Sequence, residues 1–286
     1  MGFVQAAEQP GKSGQSTMTQ NSQSLPTDPN SIEIRRCVTL AEFEKCVELE
    51  RIIWGEQITV PAAIFVVAQH TGGQILGAFN GDELIGFTLA LVGNHDGVAF
   101  LHSHMTGVLP AYQDQRIGRR LKLLQREHAL KHGISLIEWT FDPLELRNAH
   151  FNLVRLGAIS RRFIPNCYGV TQSHLHAGLP TDRLIAEWWL ESPHVKEILE
   201  GNKDFAAPEC QLIPLPGDIG KTKSTDRVSA EKIQTHVRED FQRLFREGYV
   251  ATGLQRHGET AAYVLQRPAF IAGLTLPEYR AHEVEY

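Results

Sequence analysis

Between Ser31 and Ile164 the apolar residues switch repeatedly between the two-residue period of a strand and the 3.6-residue period of a helix. The order they spell is β α α β β β α β α β. IEIRRCV (32–38) reads as a strand, LAEFEKCVELERIIWG (40–55) carries Leu40, Phe43 and Val47 at helical spacing, and Pro61 suits the first turn of a second helix, PAAIFVVAQH. QILGAFNGDELIGFTLALVG (74–93) reads as two strands about the turn Asn80-Gly81-Asp82, and VAFLHSHMTGVL (98–109) as a third. A helix from Ile117 to His132 places Ile117, Leu121, Leu124 and His128 on one face and ends at Gly133. SLIEWTFD (135–142), LELRNAHFNLVRLG (144–157, stopped by Gly157) and AISRRFI (158–164) follow as strand, helix and strand. This order is too helix-rich for a sandwich and too irregular for a barrel of repeated units. It predicts an α+β fold, a three-layer α/β/α domain with a mixed central sheet.

Beyond Pro165 the pattern thins. TDRLIAEWWL (181–190) reads as a strand that puts Trp188 and Trp189 on opposite faces, one in the core and one free to wall a pocket. SAEKIQTHVREDFQRLFREG (229–248) is an amphipathic helix, and YVATGLQR with AAYVLQR is a closing hairpin, so residues 193–286 form an αβ extension or small lobe. Residues 1–30, rich in Gln, Ser, Thr, Gly and Pro, have too few apolar groups to offset the entropy of ordering, which predicts a disordered tail.

The charge balance narrows the partners. A net charge of −5 argues against nucleic-acid binding, which needs concentrated Lys and Arg. No apolar run approaches the ~20 residues of a membrane span, so a cytoplasmic protein that engages no membrane is expected; a homodimer is compatible with the composition. The four cysteines, Cys37, Cys46, Cys167 and Cys210, show no C-x-x-C spacing and read as reduced thiols.

Any anion site must therefore be local, and LPAYQDQRIGRRL (109–121) supplies one. A helix that starts directly after a turn leaves its first amide hydrogens without intrahelical acceptors, and its dipole adds partial positive charge there. Gly118 permits close approach of a ligand, while Arg116, Arg119 and Arg120 add full charges. The same arginines would also be unremarkable on a solvated helix face.

This stretch resembles the coenzyme A signature of the GNAT superfamily, the Gcn5-related N-acyltransferases, V-x-P-x-x-[QR]-x-x-G-x-[GA]. Val108, Pro110, Gln113 and Gly118 match it, and Arg116 stands where the first signature glycine belongs. The resemblance covers roughly the first half of the chain and identifies residues 31–192 as a GNAT-like domain. It implies an acyl-CoA such as acetyl-CoA as co-substrate, with the pyrophosphate and pantetheine arm on Val108, Leu109, Gln113, Arg116, Ile117, Gly118 and Arg119. RNAHFNLVRLGA (147–158) echoes a second family feature, with Leu153 in place of the tyrosine that protonates the departing thiolate in many relatives. Asp142, Pro143, Leu144, Arg147 and Asn148 spell the D-P-L-x-x-R-N motif of uncharacterised GNAT-like proteins, which adds Arg147 and Asn148 to the candidate cofactor contacts. Arg161 and Arg162 could meet the coenzyme's 3′-phosphate or a substrate carboxylate.

His102 and His104 alternate with Ser103 on one strand, so both rings should face the same way. Three readings are open: a buried structural pair, a metal pair completed by His174, His176 and Cys167, or acid/base chemistry. A cupin-type H-x-H would need a nearby acid, and Thr106, Gly107 and Val108 supply none. The position matches the H-x-H of arylalkylamine N-acetyltransferases, a GNAT branch, which favours the general base and leaves no metal in the site. Glu138 and Asp142, on the adjacent strand, are alternative bases or orienters of an imidazole; the solvated ends of an edge strand would account for them equally. Tyr168 is the candidate general acid, and amides near Thr106 to Val108 the oxyanion donors. The implied reaction is transfer of an acetyl or other short acyl group to a small amine or amino acid; the alternative is a silent module that binds CoA or a partner without turnover.

Overall fold

The computed structural model describes residues 31–56, 59–169, 178–201 and 209–271. The tail expected at 1–30 and the His174–His176 pair lie outside them. The described residues divide into two compact units that interleave in sequence. The first runs to Gly93 and resumes at Ser103–Lys131; the second holds Asn94–His102 and the residues from His132 onward.

The first unit is built from β1 (Glu33–Arg36), α1 (Leu40–Trp54), α2 (Ala62–His70), β2 (Gln74–Asn80), most of β3 (Glu83–His95), the second half of β4 (Val98–Val108) and α3 (Ile117–Lys131). Thr39 and Glu42 cap α1 reciprocally, each side chain meeting the other's backbone N–H. Pro61 precedes α2 as expected. β1, β2 and β3 pair antiparallel in turn, β2 and β3 about the Asn80-Gly81-Asp82 turn. Phe43 stacks on Phe65 at 5.9 Å between centroids, Phe65 meets Phe87 at 6.2 Å with the rings tilted, and the Trp54 ring meets Phe87 edge-on. A second cluster joins Ile85, Val108 and Tyr112 to Ile117 and Leu121 of α3.

α3 departs from its expected face. The buried stripe runs Ile117, Gly118, Leu121, Lys122, Gln125 and Ala129, leaving Leu124 and His128 half-buried. A polar network draws the helix round: Lys122 Nζ donates to Ser103 Oγ at 3.0 Å and to Gln125 Oε1 at 2.7 Å. Gln125 donates onward to Thr88 Oγ1, which lies 2.8 Å from Thr106 Oγ1. Burial holds the Lys122 ammonium well below the ordinary lysine range.

The second unit continues from the first half of β4 into β5 (Leu136–Phe141), α4 (Leu146–Ala149), β6 (Phe163–Ile164), β7 (Arg183–Trp189), α5 (Pro193–Glu200), β8 (Gln211–Pro216), α6 (Ile219–Thr225), α7 (Arg227–Arg246), β9 (Val250–His257) and β10 (Thr260–Gln266). β5 pairs parallel with β4 and antiparallel with β7, so it is an interior strand, and of the two readings of Glu138 and Asp142 the solvated ends of an edge strand do not apply. The strand order β1-β2-β3-β4-β5-β7-β6 is mixed, as the α+β class requires, and a separate sheet runs β8-β10-β9. The closing hairpin is β9–β10; β8, α5 and α6 carry no strong periodicity and were not foreseen.

Two expected elements are reshaped. The helix of 144–157 is α-helical only over α4, then opens into a π-turn over His150–Arg155, with Leu156 N bonded to Phe151 O. The strand of 158–164 shrinks to β6, because Ile159 bridges Glu187 of β7 while Ser160 turns to bridge Ala251 of β9. The D-P-L residues anchor the C-terminal elements. Asp142 accepts from Leu144 N and from Lys223 Nζ, and Tyr263 Oη donates to the Pro143 carbonyl at 2.6 Å. Arg238 of α7 forks onto buried Asp182. Trp188 is fully buried and Trp189 half-buried. Cys37 and Cys46 are buried, Cys210 is exposed, and all four cysteines are free thiols.

Candidate functional site

In the first unit the turn before α3 keeps an unusual backbone. Asp114 and Arg116 have φ of +63° and +61°, the left-handed region that costs an ordinary side chain about 1–2 kcal/mol. Arg116 thus adopts the conformation a glycine would take without strain, and its side chain stays exposed. The first bond of α3 is Arg120 N to Arg116 O, so helix geometry gives the N–H groups of Ile117 and Gly118 no acceptor within the helix.

Other signature residues brace this turn. Val108 is buried against α3, Leu109 N donates to Ile85 O at 2.9 Å, and Gln113 Nε2 donates to Val108 O at 3.2 Å. Tyr112 Oη donates to Glu83 and accepts from Asn80. Arg120, expected to add charge to the turn, instead donates to the Ile32 carbonyl at 2.6 Å. Arg119 is half-buried. Gly107 admits Trp54 and Ile53 of α1, which an added Cβ would meet at 2.8 and 2.7 Å.

Replacing Arg116 by glycine should separate two effects. Stability should rise by up to about 1 kcal/mol as the left-handed strain is relieved. Binding of a polyphosphate ligand should weaken several-fold with the lost charge. Chemical denaturation and titration of the same variant check the pair.

On β4 Ser103 is buried, while His102 and His104 on either side of it are half-buried. Ser103 Oγ and Thr106 Oγ1 both reach the side-chain network of Lys122, Gln125 and Thr88. Burial holds the His104 imidazole down at about 4, so it is neutral at physiological pH and a weak proton acceptor.

In the second unit three residues line up across adjacent strands: His102 pairs in register with Glu138, and Glu138 with Glu187. Glu138 and Glu187 are both buried. Arg161 Nε donates to both oxygens of Glu187 at 3.1 Å, Arg162 Nε to Glu187 at 3.0 Å, and Arg162 also bonds Glu138 Oε1. The two arginines expected to meet a phosphate or carboxylate are thus charge-compensated by two glutamates. Glu138 Oε2 lies 3.2 Å from His95 Nε2. Glu187 and His95 went unnoticed in the sequence. The signal for Glu187 was an acid inside the apolar run of β7; for His95, at the end of β3, there was none.

The remaining candidates are dispersed within this unit. Tyr168 is 43% exposed, its hydroxyl 3.0 Å from Thr140 Oγ1, and burial raises its phenol. Asn148 is buried and accepts from Asn152 Nδ2 at 3.2 Å, while Arg147 is exposed. Among the described residues no group of three or more His, Cys, Asp or Glu side chains is placed to hold a metal ion, and no helix is long and apolar enough to cross a membrane.

Residues 37–157 match the model of the acetyltransferase (GNAT) family. Among solved structures, the chain is similar to Arabidopsis thaliana Naa50 in complex with a bisubstrate analogue, at 15% identity over 55% of this chain and 97% of that one, TM-score 0.45. It is similar to Arabidopsis thaliana NAA60 in complex with acetyl-CoA (14%, 55% and 99%, 0.46) and to the ribosomal-protein-S18-alanine N-acetyltransferase from Escherichia coli (16%, 55% and 92%, 0.42). No curated protein matches the chain.

Proposed function

We propose, from the match of residues 37–157 to the acetyltransferase (GNAT) family model, that this chain is an acyl-CoA-dependent N-acyltransferase acting on a small amine or amino acid. The observation that supports it best is the turn Asp114–Arg116. Its left-handed residues give the backbone the shape the signature glycine serves elsewhere, immediately before the amides of Ile117 and Gly118.

The coenzyme's pyrophosphate would rest on those amides with Arg116 and Arg119 alongside, and the pantetheine arm along Val108 and Leu109. Bound there, the acyl-CoA supplies an activated thioester. The chain's own residues bind and orient it, and an amide near Thr106–Val108 stabilises developing charge on the carbonyl oxygen. His102 and His104 remain the sequence-derived candidates for proton removal, and Tyr168 for returning a proton to sulfur. Glu138, engaged at both oxygens, serves as an orienter. With Arg161 and Arg162 compensated by Glu187 and Glu138, an acceptor carboxylate is not a requirement of this reading.

Acetyl-CoA at ~100 times its Kd should stabilise the native state by roughly 2.7 kcal/mol, and free thiol should then appear with at least one amine. The absence of a melting shift with acetyl- or succinyl-CoA would falsify the reading. A shift without thiol release would favour the silent CoA-binding module.

A further inference from the structure

We propose that Glu50 and Trp54 of α1 recognise the acceptor, and that the acceptor they select is a small primary amine carrying a neutral oxygen, an amino alcohol or amino amide; the inference rests on the acyl-transfer reading above. Both residues belong to the unit that holds the turn before α3. They stand four residues apart on one helix, about 6 Å of rise, and so share a face.

Each brings a buried polar atom that has no partner among the described residues. Glu50 is fully buried, and Val60 N donates to its Oε2 at 2.6 Å, which fixes the carboxylate and leaves Oε1 open. Trp54 is 6% exposed, and its Nε1–H is open as well. A carboxylate accepts and an indole donates, yet the two do not bond each other. Buried polar groups are normally paired. An acceptor and a donor left open one helical turn apart mark a place for a molecule that offers both.

The surroundings choose among such molecules. The Trp54 ring meets Phe87 edge-on at 6.1 Å and packs against Gly107 of β4, where an added Cβ would fall 2.8 Å from it. Gly107 lies among the residues whose amides face the thioester in the acyl-transfer reading, so an acceptor held by Trp54 is held beside the acyl group. The N–H of an amine suits Glu50 Oε1, and a hydroxyl or amide oxygen on a neighbouring carbon suits Trp54 Nε1. The carboxylate of an amino acid would instead enter an apolar cluster beside Glu50, where like charges repel more strongly than in water.

The test uses the full chain and three probes of similar size: ethanolamine, propylamine and glycine. Without acyl-CoA, ethanolamine should raise Tm more than propylamine does, and Glu50→Gln, which keeps an acceptor for Val60, should lose that rise. With acetyl-CoA, kcat/KM for ethanolamine should exceed that for propylamine and for glycine about tenfold or more. In Glu50→Gln the KM for ethanolamine should rise about tenfold while the acetyl-CoA melting shift is kept. Trp54→Phe keeps a ring against Gly107 and should bring ethanolamine and propylamine within about threefold of each other. No Tm rise with ethanolamine, a preference for glycine, a KM within about threefold of wild type in Glu50→Gln, or a preference that survives Trp54→Phe overturns the proposal, as a buried water bridging the two groups would produce. No acetyl-CoA melting shift in the wild type removes the acyl-transfer reading instead, and the response of Tm to ethanolamine still decides whether Glu50 and Trp54 bind the amine.

Discussion

Gly73→Ala should destabilise the protein by roughly 3 kcal/mol, the upper end for overpacking, and lower Tm by about 10 °C. Gly73 joins α2 to β2, and its N–H donates to the Ala68 carbonyl at 2.7 Å. A Cβ there would meet the Ala68 carbonyl oxygen at 2.7 Å and the Ala90 carbonyl oxygen closer still. Both obstacles are backbone, so neither can rotate away. Relief would require α2 or β3 to move, and α2 carries Phe65 into the aromatic stack. Denaturant titration reads the loss. A change under about 1 kcal/mol would show that the junction yields, and the packing argument would fail.

Glu50→Gln should stabilise the protein at pH 9 by about 3 kcal/mol, with the gain fading toward pH 5. Glu50 is fully buried on α1; Oε2 accepts from Val60 N at 2.6 Å, and Oε1 has no partner among the described residues. Burial pushes the carboxyl up to about 7 from 4.5. The folded state therefore keeps its proton where the unfolded chain has lost it. Stability from this group is complete below pH 4.5 and lost as pH rises through 7. Glutamine keeps an acceptor for Val60 and never ionises, so the two stability curves should converge on acidification. A pH-independent difference would mean that Glu50 is neutral for another reason or that glutamine disturbs the packing.

The elements up to β5 were legible in the sequence because each signal is local. The Asn80-Gly81-Asp82 turn, Pro61 before α2 and the shift of apolar period need only near neighbours to act. The failures have one physical character. Lys122 looks like a solvated residue by type, yet Ser103 and Gln125 offer it acceptors inside, and the stripe of α3 rotates accordingly. The expected strand of 158–164 dissolves because Ile159 and Ser160 find partners in β7 and β9, far along the chain. Arg161 and Arg162 read as ligand contacts until Glu187 and Glu138 are seen to compensate them.

The candidate site divides along the same line. The anion-binding turn could be located from Val108, Pro110, Gln113 and Gly118, since a helix start after a turn is a local property of the backbone. That Arg116 holds the left-handed conformation of the glycine it replaces is a fact of φ, which composition does not carry. The pairing of His95 with Glu138 joins residues 43 positions apart. No period or motif records that approach.

The sequence by itself determined the α+β class, the order of the elements through β5 and the place of the turn before α3, because these follow from short-range patterning and backbone chemistry. Only the tertiary structure decided which charges are compensated, which way the stripe of α3 turns and that His95 meets a carboxylate. Those are properties of long-range pairing, where burial and register choose among side chains that look alike in the chain.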